Sequence, residues 1–173
     1  MKVCILDNDV LDPVVAPTYI SYGAMFERLL REAGADLPAI TFTDADGKAT
    51  TPADFAGQGL VINLWATWCP PCRKEIPDFA AASQSLAGEP VQFIGLSIDS
   101  ADKVRAFRDE FKVPYPLLIA GPEVLTLAAG FGNEARALPF TLIIDRDGKV
   151  RHIKLGTLKR EELEGKIRAL LAS

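Results

Sequence analysis

The chain has 173 residues, of which 49% are hydrophobic and 24% charged, and its formal net charge is −4. This length suits one compact domain with a substantial core, and the composition is that of a globular protein rather than a disordered one. The negative net charge argues against nucleic-acid binding, and no apolar run is long enough to span a membrane.

The first 36 residues are predicted to form an extension that stands apart from the rest of the chain. A short apolar strand at residues 3–6 is followed by an amphipathic helix at residues 23–33. Because Asp7 closely follows the apolar start, no signal peptide or membrane anchor is predicted, and the chain as given would be cytoplasmic. Cys4 lies on the strand and is expected to be a small buried hydrophobic residue.

Residues 38–173 are predicted to form a single α/β domain. The sequence Asp-Ala-Asp-Gly at residues 44–47 is typical of a turn and separates short strands at residues 39–42 and 49–51. Further strands are predicted at residues 60–65, 91–98, 140–144 and 149–155, and helices at residues 71–86, 101–111, 123–129 and 159–171. Alternating strands and helices give parallel strands with right-handed crossovers, and the closing hairpin adds antiparallel ones. The expected architecture is therefore a central mixed β-sheet flanked by helices on both faces.

Two cysteines, Cys69 and Cys72, lie three positions apart, between the predicted strand at residues 60–65 and the helix at residues 71–86. Thiol–disulfide exchange requires a thiolate, and the unpaired N–H groups at the start of a helix favour negative charge. Such a position lowers a cysteine pKa from ~8.5 to roughly 3.5–7.5. We therefore predict that Cys69 attacks a disulfide and that Cys72, which lies further along the helix and is more sheltered, resolves the mixed disulfide.

A structural metal site is the alternative interpretation of the two cysteines. A tetrahedral site needs further ligands, and the sequence offers only Cys4 and His152 as candidates. His152 is predicted to lie on an outer hairpin strand, away from the cysteines. The dithiol is expected to be the redox centre by itself, so that no organic cofactor and no metal is required.

The segment at residues 65–77, WATWCPPCRKEIP, resembles the active-site segment of the TlpA/ResA-type thioredoxin-like thiol–disulfide oxidoreductases. The likeness extends from about Pro38 to the C-terminus and includes the sequence LPFTLIID at residues 138–145. It implies a thioredoxin-like fold and the reduction of disulfides in partner proteins, such as apocytochrome c or copper-centre assembly proteins in the bacterial periplasm. It also implies an upstream thiol donor, such as a membrane thiol reductase, and we expect the protein to be a monomer.

Five residues around the cysteines are expected to contact client proteins. The resemblance implies a cis bond between Leu138 and Pro139 that faces the cysteines, with Leu138 offering backbone groups to an extended client. The other expected contacts are Trp68, which precedes Cys69 in the sequence, and the two prolines between the cysteines, Pro70 and Pro71.

Two polar residues near the motif, Glu75 and Asn63, are considered for proton exchange with the cysteines and for hydrogen bonding in the core. Glu75 follows Cys72 by three positions on the same helix face, and the resemblance implies a glutamate beside the thiols. Partial burial would raise the pKa of Glu75 and let it exchange protons with Cys72; the alternative is a first-turn glutamate that stabilises the helix dipole. Asn63 takes the place of a buried aspartate of cytoplasmic thioredoxins and is expected to be hydrogen-bonded in the core.

Two other classes of function are compatible with the motif. A peroxiredoxin-like thiol peroxidase would need a peroxidatic cysteine in a pocket of its own, whereas a metal chaperone or binding module would hold a metal through the cysteines. Residues 1–36 in turn resemble the opening strand and helix of class I glutamine amidotransferase-like domains, and no amidotransferase chemistry is expected from them.

Overall fold

The computed structural model describes residues 42–50, 52–55 and 57–172. The predictions for the first 36 residues, including the role of Cys4, lie outside these ranges, as does most of the first strand of the predicted hairpin. No helix within the described ranges is long and apolar enough to cross a membrane.

Strands and helices alternate along the described residues as the sequence predicts. The strands are β1 (Phe42–Asp44), β2 (Ala49–Thr50), β3 (Gly59–Trp65), β4 (Val91–Ser97), β5 (Leu117–Ile119), β6 (Phe140–Ile144) and β7 (Val150–Leu155). The helices are α1 (Pro70–Ser85), α2 (Ala101–Phe111), α3 (Glu123–Ala129) and α4 (Arg160–Leu171). A short 3-10 helix at Pro52–Phe55 precedes β3.

All seven strands in the described part of the chain belong to one sheet, with the order β2-β1-β5-β4-β3-β6-β7. β3 and β4 are parallel, as are β4 and β5, whereas β6 runs antiparallel to β3 and β7 antiparallel to β6. The predicted mixed sheet is confirmed. Because β3 is an interior strand, paired with β4 on one side and β6 on the other, and a short loop connects its carboxyl end to α1, the cysteines lie within one sheet edge and not at its end.

The sequence analysis missed β5. This strand has three residues and follows Pro114 and Pro116, so it is too short to show a periodic pattern. It forms because it pairs with β4 on one side and with β1 on the other. Through these two ladders β5 joins the N-terminal hairpin to the main sheet.

The hairpin turn at residues 44–47 is confirmed. Asp44 Oδ1 accepts hydrogen bonds from the backbone N–H groups of Asp46 and Lys48, at 2.9 and 2.8 Å. Gly47 has a φ of 86°, a conformation that glycine adopts without steric cost. The carboxylate is thus used to close the turn.

Helices cover both faces of the sheet, as predicted. On one face α1, α2 and α4 pack against β3 and β4, and this core contains Trp65, Ile76, Phe79, Phe93, Phe107, Leu163 and Ile167. On the other face α3 packs against a second core of Leu64, Ile94, Leu118, Val124, Phe140 and Leu142. Every position of β3 from Asn63 to Trp65 is buried, which is why its sequence is a nearly continuous apolar run.

Candidate active site

Cys69 and Cys72 are joined by a disulfide at the start of α1, with their Cα atoms 5.3 Å apart. Cys69 is the N-cap residue of the helix, and its sulfur accepts a hydrogen bond from the backbone N–H of Cys72 at 3.3 Å. Pro70 and Pro71 occupy the first two helical positions, where a backbone N–H has no partner within the helix. The amide of Cys72 is therefore the helix donor that is placed to stabilise a thiolate on Cys69.

Both cysteines of the disulfide are buried, whereas the residues next to Cys69 in the sequence are exposed to solvent. Cys72 is 0% exposed and Cys69 is 3% exposed, whereas the preceding Trp68 is 62% exposed. Pro70 and Pro71 are exposed as well. A protein that approaches the disulfide therefore meets the Trp68 ring and the two prolines before it reaches the edge of Cys69.

The loop before Cys69 is held by an acidic residue that the sequence analysis did not single out. Asp99 follows β4, and its Oδ2 accepts hydrogen bonds from the N–H and from the hydroxyl of Thr67, at 2.7 and 2.9 Å. Asp99 is 9% exposed, so these bonds form largely away from water. The signal that could have found it is an aspartate at the carboxyl end of a strand that is parallel and adjacent to β3.

Arg73 also binds the same loop. Its Nη1 donates to the carbonyl oxygen of Thr67 at 3.2 Å. Its guanidinium lies over the rings of Phe107 and Phe111 of α2, at 5.1 and 4.9 Å from their centroids. The N–H, hydroxyl and carbonyl of Thr67 are therefore all hydrogen-bonded, and these contacts position the segment that carries Trp68 and Cys69.

We expect the variant Thr67→Val to lower the free energy of unfolding of the oxidised protein by about 1.5 kcal/mol, because it removes a hydrogen bond to a carboxylate without changing the side-chain shape. Urea unfolding would measure this loss. Thr67→Ser keeps the hydroxyl and is the matched control. An equal loss in both variants would contradict the role assigned to the Thr67 hydroxyl.

Glu75 lies in the interior, 0% exposed, and its partners come from other elements. Its Oε1 accepts from Asn63 Nδ2 at 2.8 Å, and its Oε2 accepts from the backbone N–H of Leu158 at 2.9 Å. Asn63 Nδ2 also donates to the hydroxyl of Thr141 at 3.1 Å. The expected hydrogen-bonded role of Asn63 in the core is confirmed, whereas the first-turn, dipole-stabilising alternative for Glu75 is wrong, because its carboxylate is directed into the core.

Burial raises the pKa of Glu75 from 4.5 to about 7. The hydrogen bonds from Leu158 and Asn63 act in the opposite direction, and the nearby charge of Asp78 adds to the increase. A carboxyl group with a pKa near 7 is present in both the neutral and the ionised form near neutral pH. Glu75 is therefore able to take up or release a proton in the range in which a helix-start thiol ionises.

The bond between Leu138 and Pro139 is cis, as the resemblance implies. The antiparallel register pairs Phe140 with Leu64, so the start of β6 lies beside the end of β3. Leu138 and Pro139 are therefore at the sheet edge that carries the cysteines. His152 is on β7, two strands away from β3, where it pairs with Ile143 of β6, and it does not belong to this edge.

Comparisons with known proteins agree with this geometry. Residues 32–171 match the protein family described as Redoxin. The thiol-disulfide oxidoreductase ResA of Bacillus anthracis is 31% identical over 138 residues, which cover 79% of this chain and 78% of that protein. The chain is a ResA-type member of the redoxin family. ResA of Bacillus cereus (strain ATCC 10987 / NRS 248) is 32% identical over 148 residues, covering 84% of this chain and 82% of that protein.

Solved structures agree with the thioredoxin-like fold of this redoxin-family protein. A thiol:disulfide interchange protein of the thioredoxin family from Chlorobium tepidum matches with a TM-score of 0.69 and 27% identity, covering 76% of this chain and 92% of that one. A secreted thiol-disulfide isomerase from Corynebacterium glutamicum matches with a TM-score of 0.69 and 25% identity, covering 80% and 86%. Together with the Cys69–Cys72 disulfide, these relatives establish the protein as a thiol–disulfide oxidoreductase that acts on protein thiols.

The comparisons also correct one expectation. The resemblance of residues 1–36 to amidotransferase-like domains is not borne out, since the redoxin match already begins at residue 32. A short strand followed by a helix opens many α/β domains, so this pattern alone does not distinguish between families. The division of the chain between residues 1–36 and 38–173 stays a prediction.

Proposed function

We propose that this redoxin-family protein reduces disulfides in extended segments of client proteins, with Cys69 as the nucleophile and Cys72 as the resolving thiol. The observation that carries the proposal is the hydrogen bond from the Cys72 N–H to the Cys69 sulfur at the start of α1. This bond favours the thiolate of Cys69. Cys72 is fully enclosed and is suited to react only with its neighbour.

The proposed reaction has two exchange steps. The Cys69 thiolate attacks one sulfur of the client disulfide, the client S–S bond breaks, and the other client sulfur leaves as a thiolate. Cys72 then loses its proton and attacks the Cys69 sulfur, which releases the second client thiolate and forms the Cys69–Cys72 disulfide. Two electrons pass from the protein dithiol to the client, and the two client thiolates take up protons.

Glu75 is the proposed proton acceptor for Cys72. It lies one helical turn beyond Cys72 on α1, and its pKa of about 7 suits proton exchange near neutral pH. The bonds from Asn63 and Leu158 hold the carboxyl group in the interior. Glu75 would receive the Cys72 proton as the mixed disulfide is resolved, and would return it when the disulfide is reduced again.

The proposed clients are apocytochromes c or proteins of copper-centre assembly. An upstream thiol donor, such as a membrane thiol reductase, would return two electrons to the Cys69–Cys72 disulfide after each cycle. The secreted relative from Corynebacterium glutamicum supports a site of action outside the cytoplasm. We further propose that the protein acts as a monomer and that the cysteine pair works without a metal or an organic cofactor.

The reduction potential tests the direction of the reaction. Equilibration with glutathione buffers should give a potential near that of reducing thioredoxins, about −270 mV, and the reduced protein should reduce insulin. A potential near that of strong oxidants of this fold, about −120 mV, would contradict the reductase proposal. Rapid peroxide consumption that survives Cys72→Ser would favour a peroxidase, and stoichiometric copper or zinc without insulin reduction would favour a metal-binding module.

We expect Trp68→Ala to slow client reduction while leaving the fold intact. The ring is 62% exposed, so its loss should change the free energy of unfolding by no more than about 0.5 kcal/mol. Loss of an exposed aromatic contact beside the nucleophile should lower kcat/KM for a protein disulfide by roughly tenfold or more. Insulin reduction measures this effect.

Trp68→Phe is the matched control for Trp68→Ala, because it keeps an aromatic ring at the same exposed position. It should retain most of the insulin reduction that Trp68→Ala loses. Equal rates for Trp68→Ala and the unaltered protein would show that the Trp68 ring does not contact the client.

A further inference from the structure

Asn133, between α3 and β6, is a fully buried polar residue that precedes four exposed ones at residues 134–137. Its side-chain Oδ1 accepts a hydrogen bond from the backbone N–H of Ala137 at 2.9 Å, and its Nδ2 donates to the carbonyl oxygen of Ala137 at 2.9 Å. A single amide group thus binds both backbone polar groups of Ala137.

The backbone of Asn133 anchors this arrangement to the fold. Its N–H donates to the carbonyl oxygen of Ala128 in α3 at 3.1 Å, and its own carbonyl accepts from Arg136 at 2.9 Å. Arg136 has a φ of 51°, a left-handed conformation that is unfavourable for residues other than glycine. The hydrogen-bonded loop holds Arg136 in this conformation and fixes the direction in which the backbone enters Leu138.

Only one residue of the stretch 137–139 keeps its backbone groups available to another chain. Both groups of Ala137 are occupied by Asn133, Pro139 has no N–H, and the carbonyl of Pro139 accepts from the N–H of Gly156 at 2.9 Å. The N–H and C=O of Leu138 have no hydrogen-bond partner among the described residues. An extended segment that pairs here must therefore pair with Leu138 and cannot shift to Ala137.

We propose that Asn133 is a positioning residue that sets the register in which an extended client segment pairs with Leu138. The inference rests on the proposed client contact at Leu138. A one-residue shift of an extended segment would turn its side chains to the opposite side and move the client disulfide away from Cys69. Because the loop is already ordered before binding, the client does not have to order Ala137 and Leu138 itself.

The variant Asn133→Ala tests this role with two substrates. A small aromatic disulfide, 5,5′-dithiobis(2-nitrobenzoate), reaches Cys69 without pairing to backbone groups, whereas insulin presents its disulfides on polypeptide segments. For insulin we expect kcat/KM to fall roughly tenfold through a higher KM, because one residue of backbone must then be ordered on binding. For the small disulfide, the rate should stay within about twofold, and the reduction potential should be unchanged.

Glu134→Gln is the matched control, because Glu134 is exposed in the same loop and is not part of the pairing with Ala137. It should leave both rates unchanged. Equal slowing of both substrates by Asn133→Ala, or no change with either, would overturn the proposal. Failure of the unaltered protein to reduce insulin would overturn the proposed function instead, so the two failures are distinguishable.

Hydrogen exchange provides a second test that does not depend on how well Asn133→Ala folds. With Asn133 in place, the Ala137 amide should exchange slowly in the isolated protein, whereas the Leu138 amide should exchange rapidly. In a mixed disulfide between Cys69 of the Cys72→Ser variant and a cysteine-containing peptide from insulin, exchange at Leu138 should slow at least tenfold. Unchanged exchange at Leu138, or rapid exchange at Ala137 in the isolated protein, would overturn the proposal.

Discussion

Replacing Cys72 with serine is expected to leave Cys69 joined to client proteins in a stable mixed disulfide. The first exchange step needs only the Cys69 thiolate, whereas release of the client needs the Cys72 thiol, which lies next to it and is fully enclosed. Serine is close in size to cysteine but cannot attack the mixed disulfide. Non-reducing electrophoresis of the variant after incubation with an oxidised client would detect the adduct, and mass spectrometry would locate it at Cys69.

Cys69→Ser is the matched control, since it also leaves a single cysteine at the start of α1. We expect it to form no adduct and to reduce insulin more slowly than the unaltered protein by a factor of at least about 10³, because the nucleophile is lost. The opposite pattern, with adducts on Cys72 in the Cys69→Ser variant, would reverse the assignment of nucleophile and resolving thiol.

The pH dependence of stability is expected to change in the variant Glu75→Gln. Folding raises the pKa of Glu75 from 4.5 to about 7, so between these values the folded protein binds more protons at this site than the unfolded chain does. The stability that Glu75 contributes is therefore fully present below pH 4.5 and is lost as the pH rises through 7. A shift of this size corresponds to about 3 kcal/mol.

Urea unfolding of the oxidised protein between pH 4.5 and 8 would measure this effect. We expect the free energy of unfolding of Glu75→Gln to increase by about 3 kcal/mol relative to that of the unaltered protein as the pH rises across this range, because the unaltered protein loses the contribution of Glu75 and glutamine does not ionise. Glu89→Gln is the control, since Glu89 is exposed, and it should keep the original pH dependence. Parallel pH profiles for Glu75→Gln and the unaltered protein would show that Glu75 does not titrate in this range.

The same substitution separates the structural from the chemical role of Glu75. Its carboxylate accepts hydrogen bonds from Asn63 of β3 and from Leu158, two residues before α4, and these two parts of the chain are distant in sequence. A glutamine has one acceptor oxygen and would leave one of these buried donors without a partner, at a cost of roughly 1–3 kcal/mol. This cost does not depend on pH, so the slope of the profile, rather than the stability at one pH, reports proton binding.

The parts of the site that are local in sequence were predictable. Cys69, Pro70, Pro71 and Cys72 are adjacent, and their position between an apolar strand and a helix start is visible in the residue pattern alone. The periodic segments that became β3, β4, α2 and α3 were predicted to within one or two residues. Their apolar patterns are long enough to distinguish a helix from a strand or a loop. The cis state of Pro139 came from the family resemblance, since spacing alone does not distinguish cis from trans.

The parts that depend on contacts distant in sequence were not predictable. β5 has three residues and exists through its pairing with β1 and β4. The partners of Thr67 and Glu75 include Asp99 and Leu158, which lie 32 and 83 positions away. No periodic signal in a single sequence links residues at such separations.

By itself, the sequence determined the chemistry of this protein: a dithiol at a helix start, in a mixed α/β domain, that exchanges disulfides. These features follow from local hydrophobic periodicity and from the spacing of the cysteines along the chain. Only the tertiary structure decided how Glu75 is enclosed, how Thr67 is held and how Asn133 orders the loop before Leu138. Burial and hydrogen bonding depend on which elements meet in space, and the packing of the whole domain decides that.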